Sequence, residues 1–440
     1  MIKGGRRMKY NMKLTPEEEG ILNGSAGETQ AKVMKSLVLY GDAFNAERFV
    51  PVTGKGHLVT SFGISVLKPV FSIMDELIDA GLKVDETFTV DPRPIDYDNV
   101  KCNFLERLIF SKVIYGMQAP YEEQLKKLGL KSSKSFTCTC YLDEVGNTPK
   151  KGDVLSWAES SAVVYANSVL GARCNRNSGI IELFGSILGK VPEFDLLTDE
   201  GRKASWIIEV KTSKKPEAQI LGSAIGMKVM EDVPFIKGLD KFIGTELDDK
   251  TKAYLKDMGA ATASNGAVGL YHVENLTPEA VEQGEALIHE GAKTYTIDDK
   301  ELERVKNSYP KIGAWESNHD AKPARCFIGC PHLTFAQLGE WAERFEKELE
   351  KQGKSKVGMS VILTAAPEVL DRFIKENGQA HGKLTGFGIK LTSICPLMYM
   401  NNPLCGKKAV ITNSNKLRTY TTARYLTDDE IVSTAVKGGF

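Results

Sequence analysis

Three cysteines stand where an apolar run gives way to a turn: Cys138 in Ser-Phe-Thr-Cys-Thr-Cys-Tyr, Cys330 in Phe-Ile-Gly-Cys-Pro-His and Cys395 in Leu-Thr-Ser-Ile-Cys-Pro. In α/β proteins ligands collect at such places, beyond the carboxyl ends of strands. Three thiolates brought together could hold an iron–sulfur cluster and leave one iron open, a Lewis acid toward a leaving hydroxyl and a carboxylate. Plainer readings compete. Free cysteine is among the most buried residue types and behaves as a small hydrophobe, which suits Cys102 and Cys174. Cys138 and Cys140 are two apart and Cys326 and Cys330 four apart, so zinc is formally open, but there is no CxxC pair and His332 is the one imidazole nearby in sequence. Cys330 with His332 could make a nucleophile pair, yet nothing supplies an orienting third group. Spacing alone leaves these alternatives standing.

Two further groups could handle anions. In Trp157-Ala158-Glu159-Ser160-Ser161-Ala162, Glu159 and Ser160 sit early in a helix, where unpaired N–H groups and the dipole favour negative charge. On sequence alone, ordinary capping and dipole compensation are the better explanation of both. In Thr412-Asn413-Ser414-Asn415-Lys416 a buried strand runs into a polar turn, with a lysine that could hold a carboxylate or phosphate. Glycines of a P-loop are missing there, so nucleotide binding has no support. His57 and Asp91 are lone polar groups at strand ends.

The elements that must position these residues alternate along the chain. Thr15-Pro16-Glu17-Glu18 opens a helix with a capping box. Helices are expected at about 27–44, 70–80, 104–116, 121–128, from Asp153 to Leu170, and at 216–230, 334–351 and 367–377, with Thr334 as a further cap. Strands are expected at 48–52, 86–90, 135–141, 205–211, 325–327, 357–363, 386–394 and 409–412. Residues 56–61 read as a loop. The more polar stretch from about 240 to 319 reads as peripheral or inter-domain. Strands alternating with helices argue for an α/β protein with parallel sheets.

The chain has 440 residues, too many for one ordinary core, so two or three domains are expected. We divide it into an amino-terminal extension (1–13), an α/β region (14–240), the peripheral segment (241–322) and a second α/β region (323–440). With 57 basic and 57 acidic residues it carries no electrostatic footprint for nucleic acid or anionic lipid. No run approaches the ~20 apolar residues of a membrane span, and the charged start lacks the apolar core of a signal peptide. A cytoplasmic protein is expected, with its eight cysteines reduced.

Taken together and in order, six segments resemble the aconitase X family, specifically large subunits of its two-subunit type. They are residues 14–24 (Leu-Thr-Pro-Glu-Glu-Glu-Gly-Ile-Leu-Asn-Gly), 137–139 (Thr-Cys-Thr), 157–162, 167–176 (Asn-Ser-Val-Leu-Gly-Ala-Arg-Cys-Asn-Arg), 329–332 (Gly-Cys-Pro-His) and 412–416. The resemblance covers about 13–426. It implies an aconitase-like multi-domain α/β/α core with parallel sheets and an iron–sulfur cluster in the inter-domain cleft. Cys138, Cys330 and Cys395 would be the ligands, most simply of a [4Fe-4S] cluster, with a smaller one also compatible. Thr60, Ser61, Asp91, Pro92, Glu159, Ser160 and Lys416 would line the substrate pocket, with Glu159 and Ser160 as catalytic candidates. Cys140 stands where many relatives have proline, Ile394 where an acidic residue is frequent, and Asp91 where asparagine is common.

The implied activity is dehydration of a small hydroxy acid, as a hydro-lyase. Two reactions belong to the family: cis-3-hydroxy-L-proline to Δ1-pyrroline-2-carboxylate, and dehydration of 5-phosphomevalonate. Because no dense basic or glycine-rich phosphate cradle is visible, the hydroxyproline reaction is the expectation. A non-enzymatic iron–sulfur sensor or scaffold is the rival of another class, disfavoured by the presence of Glu159, Ser160 and Lys416, which a scaffold would not need. The resemblance also implies a separate small subunit, of roughly 100–170 residues on the usual size of a domain. It would carry a swivelling domain with a candidate catalytic serine, since the stretch from Leu426 to Phe440 is too short to form one.

Overall fold

Short Val-, Ile- and Phe-rich runs bounded by turn residues cannot make helices and pair instead as strands. They build two wholly parallel sheets in the computed structural model, which describes residues 10–440. The charged start at 1–9, and with it most of the expected extension and the reading of no signal peptide, lies outside these residues.

The four-stranded sheet has the order His272–Val273, Pro234–Lys237, Ala204–Val210, Ile288–Ile297. The five-stranded sheet has the order Lys390–Thr392, Ser360–Ala365, Arg325–Leu333, Val410–Thr412, Arg424–Tyr425. In each, the chain first winds outward to one side and then returns to the other side of its starting strand. That reversal leaves a crevice at the carboxyl ends, between Ala204–Val210 and Ile288–Ile297 in one sheet and between Arg325–Leu333 and Val410–Thr412 in the other. The amino-terminal region packs Glu28–Ala43, Lys68–Asp79 and Gln118–Leu128 around a third core, with two short strand pairs, Phe49–Pro51 with Lys190–Pro192 and His57–Leu58 with Thr89–Val90.

Several expectations change. Residues 135–141 form no strand: Val90 N–H donates to Ser135 O and Thr137 N–H to Val90 O, both at 2.8 Å, and the chain then turns away. Residues 56–61 include the strand His57–Leu58. The helix expected from Asp153 begins at Ser160, because Trp157 is drawn into the core and its Nε1–H donates to Lys55 O at 2.8 Å. The helix over 104–116 widens into a π-turn at Ile109–Ile114. The segment read as peripheral is not: its helix Asp249–Asn265 is largely buried against Ala218–Val229 and Ser160–Ser168, and two of its strands complete the four-stranded sheet. Among the described residues no helix is long and apolar enough to cross a membrane.

Candidate active site

The site forms where the ladder of the five-stranded sheet runs out. Val410–Thr412 pairs with Arg325–Leu333 only as far as Thr412 opposite Phe327. On the other side the register with Ser360–Ala365 shifts between Leu363 and Ala365. Gly329 occupies this irregularity at φ 106°, and a Cβ there would lie 2.5 Å from Thr364 O, so the position requires glycine. Cys330 follows, freed from the ladder. Its carbonyl accepts from Ser414 Oγ, which also caps the helix Asn415–Tyr420 by accepting from Leu417 N–H at 3.1 Å. The turn that carries Lys416 is thereby tied to the loop that carries Cys330.

Cys395 is the N-cap of Pro396–Met400, and its N–H donates to Arg93 O at 2.8 Å. Arg93 is itself held by Glu122 through two hydrogen bonds of 2.8 Å. Cys138 arrives on the turn after Phe136, with its sulfur accepting from the His332 N–H at 3.4 Å. One cavity of about 310 Å³ brings these parts together: Cys138, Cys330 and Cys395 line it with Asp91, Pro92, Glu159, Ser160 and Lys416. Val59, Phe62, Leu397, Met398 and Tyr420 give it a mostly apolar wall.

Glu159 is the N-cap of Ser160–Ser168, where Oε2 accepts from Ala162 N–H at 2.6 Å and Ser161 Oγ at 2.7 Å. Its Oε1 accepts from Lys416 Nζ, which also donates to Ser161 Oγ at 3.3 Å. Burial works against charge on both residues, but each partner outweighs it: the carboxyl stays below its ordinary pKa and the ammonium above. A buried ion pair therefore stands at the cavity wall. Asp91 behaves oppositely. Burial, reinforced by the Glu159 charge, pushes its carboxyl up. Asp91 Oδ1 faces His57 Nε2 at 3.4 Å, and neither atom has a hydrogen-bond partner among the described residues. His57 Nδ1 is taken by Thr89 Oγ1 at 2.9 Å.

Two expected pocket residues are spent elsewhere. Thr60 Oγ1 bonds the Tyr121 hydroxyl, and its backbone, at φ 31°, is held by Glu182 Oε1, which accepts from the Val59 and Thr60 N–H groups at 3.1 and 3.2 Å. Ser61 is fully buried and its Oγ accepts from Gly63 N–H at 3.3 Å. Their neighbours Val59 and Phe62 meet the cavity instead. Cys140 packs in the core around Trp157, so of that cysteine pair only Cys138 faces the cavity.

The competing cysteine chemistries fare poorly. Burial pushes the thiols of Cys138, Cys330 and Cys395 up, so none is a free thiolate at neutral pH. His332 cannot activate Cys330, because Nδ1 is bonded to Thr137 Oγ1 at 2.9 Å and Nε2 to Ile394 O at 3.0 Å. Among the described residues no three His, Cys, Asp or Glu side chains converge closely enough for a single ion. A multi-iron cluster asks instead for soft donors spaced around a void, and three cysteines around one cavity fit that requirement. Sequence reasoning missed the apolar wall, the anchoring Glu182 and the bonding of His332; only His332, two residues after Cys330, left a visible mark.

Known proteins share this arrangement of chain. Residues 11–200 match a family model described as the aconitase X first domain, and residues 204–307 one described as the aconitase X second domain. The phosphomevalonate dehydratase large subunit of Thermococcus kodakarensis is 36% identical over 340 residues, 76% of this chain and 77% of that protein. A cis-3-hydroxy-L-proline dehydratase of Hypocrea jecorina is 30% identical over 211 residues, covering 46% of this chain and 33% of that one. The holo-form crystal structure of aconitase X from Thermococcus kodakaraensis superposes with a TM-score of 0.77 at 30% identity, over 96% of this chain and 100% of that one.

Proposed function

The chain belongs to the aconitase X family, a family of dehydratases, and from that premise we propose that it is the large subunit of a phosphomevalonate dehydratase. The observation that carries this reading is the reach of the match. Relatives of that name align at 28–36% identity with 75–86% of the chain. Those named for cis-3-hydroxy-L-proline align at 26–30% identity with 46–67% of it. The expectation from sequence, which favoured hydroxyproline for want of a phosphate cradle, gives way. The mostly apolar wall of Val59, Phe62, Leu397 and Met398 also suits the methyl-branched carbon of mevalonate better than the charged ring of an amino acid.

Cys138, Cys330 and Cys395 would hold an iron–sulfur cluster whose open iron supplies Lewis acidity toward the hydroxyl and carboxylate of the substrate. Lys416 receives the substrate's anionic group, and Glu159 holds that ammonium in place and keeps it charged. Ser160, at the start of the same helix, lies within the cavity to position the substrate. Asp91, its carboxyl pushed up by burial and facing His57 Nε2, lines the cavity as a group that could exchange a proton with the substrate's hydroxyl. The apolar wall excludes water. A small subunit, which the name of the relatives implies, would close the mouth and bring the base that takes the carbon-bound proton.

The test is to assemble the chain anaerobically with its small subunit and offer 5-phosphomevalonate and cis-3-hydroxy-L-proline separately. Loss of water from the phosphate ester alone is expected. Turnover of the amino acid alone overturns the proposal.

A further inference from the structure

His332 touches all three cysteine loops. Its Nε2 lies 3.0 Å from Ile394 O, the carbonyl just before Cys395, and its Nδ1 lies 2.9 Å from Thr137 Oγ1, the hydroxyl just before Cys138. Its own N–H donates to Cys138 Sγ at 3.4 Å, and it stands two residues after Cys330. A carbonyl only accepts, so Nε2 carries the proton and Nδ1 accepts from Thr137. Thr137 Oγ1, its one proton committed, then accepts from the N–H of Thr139 at 3.1 Å and from Thr139 Oγ1 at 3.0 Å. Every donor in this chain points one way. Behind it, Lys256 Nζ donates to His332 O at 3.1 Å from the buried helix Asp249–Asn265. The side chain is 1% exposed, so water does not compete for these bonds.

We infer that His332 is a positioning residue: it joins the three cysteine loops and sets their spacing, so that the thiols stand ready before any metal arrives. An imidazole is suited to this because its donor and acceptor lie on opposite edges of a rigid ring and can bridge two loops. The amide of asparagine or glutamine carries both at one end and reaches one loop only. The consequence for cluster retention rests on the proposed function; the joining of the loops does not.

The metal-free chain therefore gives the first readout. Hydrogen exchange of peptides spanning 135–140, 328–334 and 392–397 should quicken together in His332→Gln, by about tenfold for each buried bond of ordinary strength that is lost. Thr137→Val should loosen 135–140 and leave 392–397 as in the wild type. His272→Gln is the control, since that histidine is equally buried and bonded to Arg202 O at 2.8 Å in the other sheet; the three loops should not respond. In the reconstituted chain, bleaching of visible absorption by an iron chelator should be about tenfold faster in His332→Gln than in His272→Gln. Wild-type exchange at 135–140 and 392–397 in His332→Gln, or loosening confined to 328–334, overturns the inference. Should His332→Gln fail to fold, Thr137→Val decides, and unchanged exchange at 135–140 overturns it. A wild-type chain that takes up no iron sinks the cluster reading while the exchange result still judges the histidine.

Discussion

The two parallel sheets are wound alike, yet their crevices differ. Beyond Ala204–Val210 the backbone pairs once more, with Lys211 N–H donating to Ile297 O at 2.8 Å, and Ser213 N–H then donates to the Asp299 carboxylate, Oδ2 at 3.1 Å. Glu209 accepts there from Lys211 Nζ and Thr296 Oγ1, both at 2.8 Å, in contact with solvent. Between Arg325–Leu333 and Val410–Thr412 the ladder stops early, and side chains take over the bonding: Ser414 to Cys330, Lys416 to Glu159, His332 to Thr137 and Ile394. A switch in strand order supplies a crevice in both sheets. Whether it becomes a site depends on where pairing ends and on what is buried past that point.

The sharpest way to break this comparison is to remove the thiols. Cys138→Ala, Cys330→Ala and Cys395→Ala should each abolish iron retention by the anaerobically reconstituted chain, measured as iron per polypeptide. Lys211→Ala in the other crevice should leave iron content and kcat/KM within about twofold of wild type, as surface substitutions usually do. Iron retained by Cys138→Ala but lost from Cys140→Ala would mean that the cavity-facing cysteine is not the ligand.

Next in size is the buried ion pair. Lys416→Ala leaves the Glu159 carboxyl buried without its cation, at a cost of ~3–5 kcal/mol in stability. If the lysine also meets the substrate, kcat/KM falls by a further ~2–5 kcal/mol equivalent. The double change Glu159→Gln with Lys416→Met removes both charges, so denaturant unfolding should recover most of the stability while activity stays lost. Recovery of both would make the pair purely structural.

These variants also mark what could be read from sequence. Cys138, Cys330, Cys395, Glu159 and Lys416 could be singled out as soft or charged side chains beside turns, though spacing alone left buried thiols and ordinary capping as rivals; the structure shows that all five line one cavity. The buried helix Asp249–Asn265 was not legible, because only Tyr254, Leu255 and Met258 give it large apolar contacts and its second half packs through small residues. A Cβ at Gly222 would lie 2.2 Å from Met258 O, and Ala260, Ala261 and Thr262 are fully buried without a large apolar face. Close approach of two backbones leaves no hydrophobic period to detect. Thr60 and Ser61 failed for a related reason: the loop lies in the right place, but a buried carboxylate on a distant helix, Glu182, decides which way it turns.

Gly329→Ala tests the end of the ladder itself. Alanine would need φ near 106° and would press on Thr364 O, a backbone atom that cannot swing away. A loss of about 2–3 kcal/mol in unfolding free energy is expected, together with weakened iron retention because Cys330 is next in line. Gly291→Ala, at φ 79° in the other sheet with open space around it, should cost only the backbone strain of about 1 kcal/mol. Equal losses at both positions would show that the irregularity at Gly329 is ordinary strand strain.

The smallest effect is expected where the two sheets meet. Glu217 precedes the helix Ala218–Val229 of one sheet and accepts from the Tyr425 hydroxyl of the other at 2.9 Å. Burial, with the nearby Asp428 charge, pushes its carboxyl up to about 7 from an ordinary value of 4.5. A raised carboxyl binds its proton more tightly in the folded chain than in the unfolded one. Its contribution is therefore complete below the unfolded value and is lost as pH rises through the folded one. Glu217→Gln keeps a neutral acceptor for Tyr425 at every pH. Its stability advantage over wild type should grow between about pH 4.5 and 7 and level off above, at roughly 1 kcal/mol given the partial exposure of the side chain. Thermal unfolding of both proteins at pH 5 and pH 8 measures that gap. A gap that shrinks as pH rises would mean that Glu217 is ionised in the folded chain and that its charge helps join the sheets.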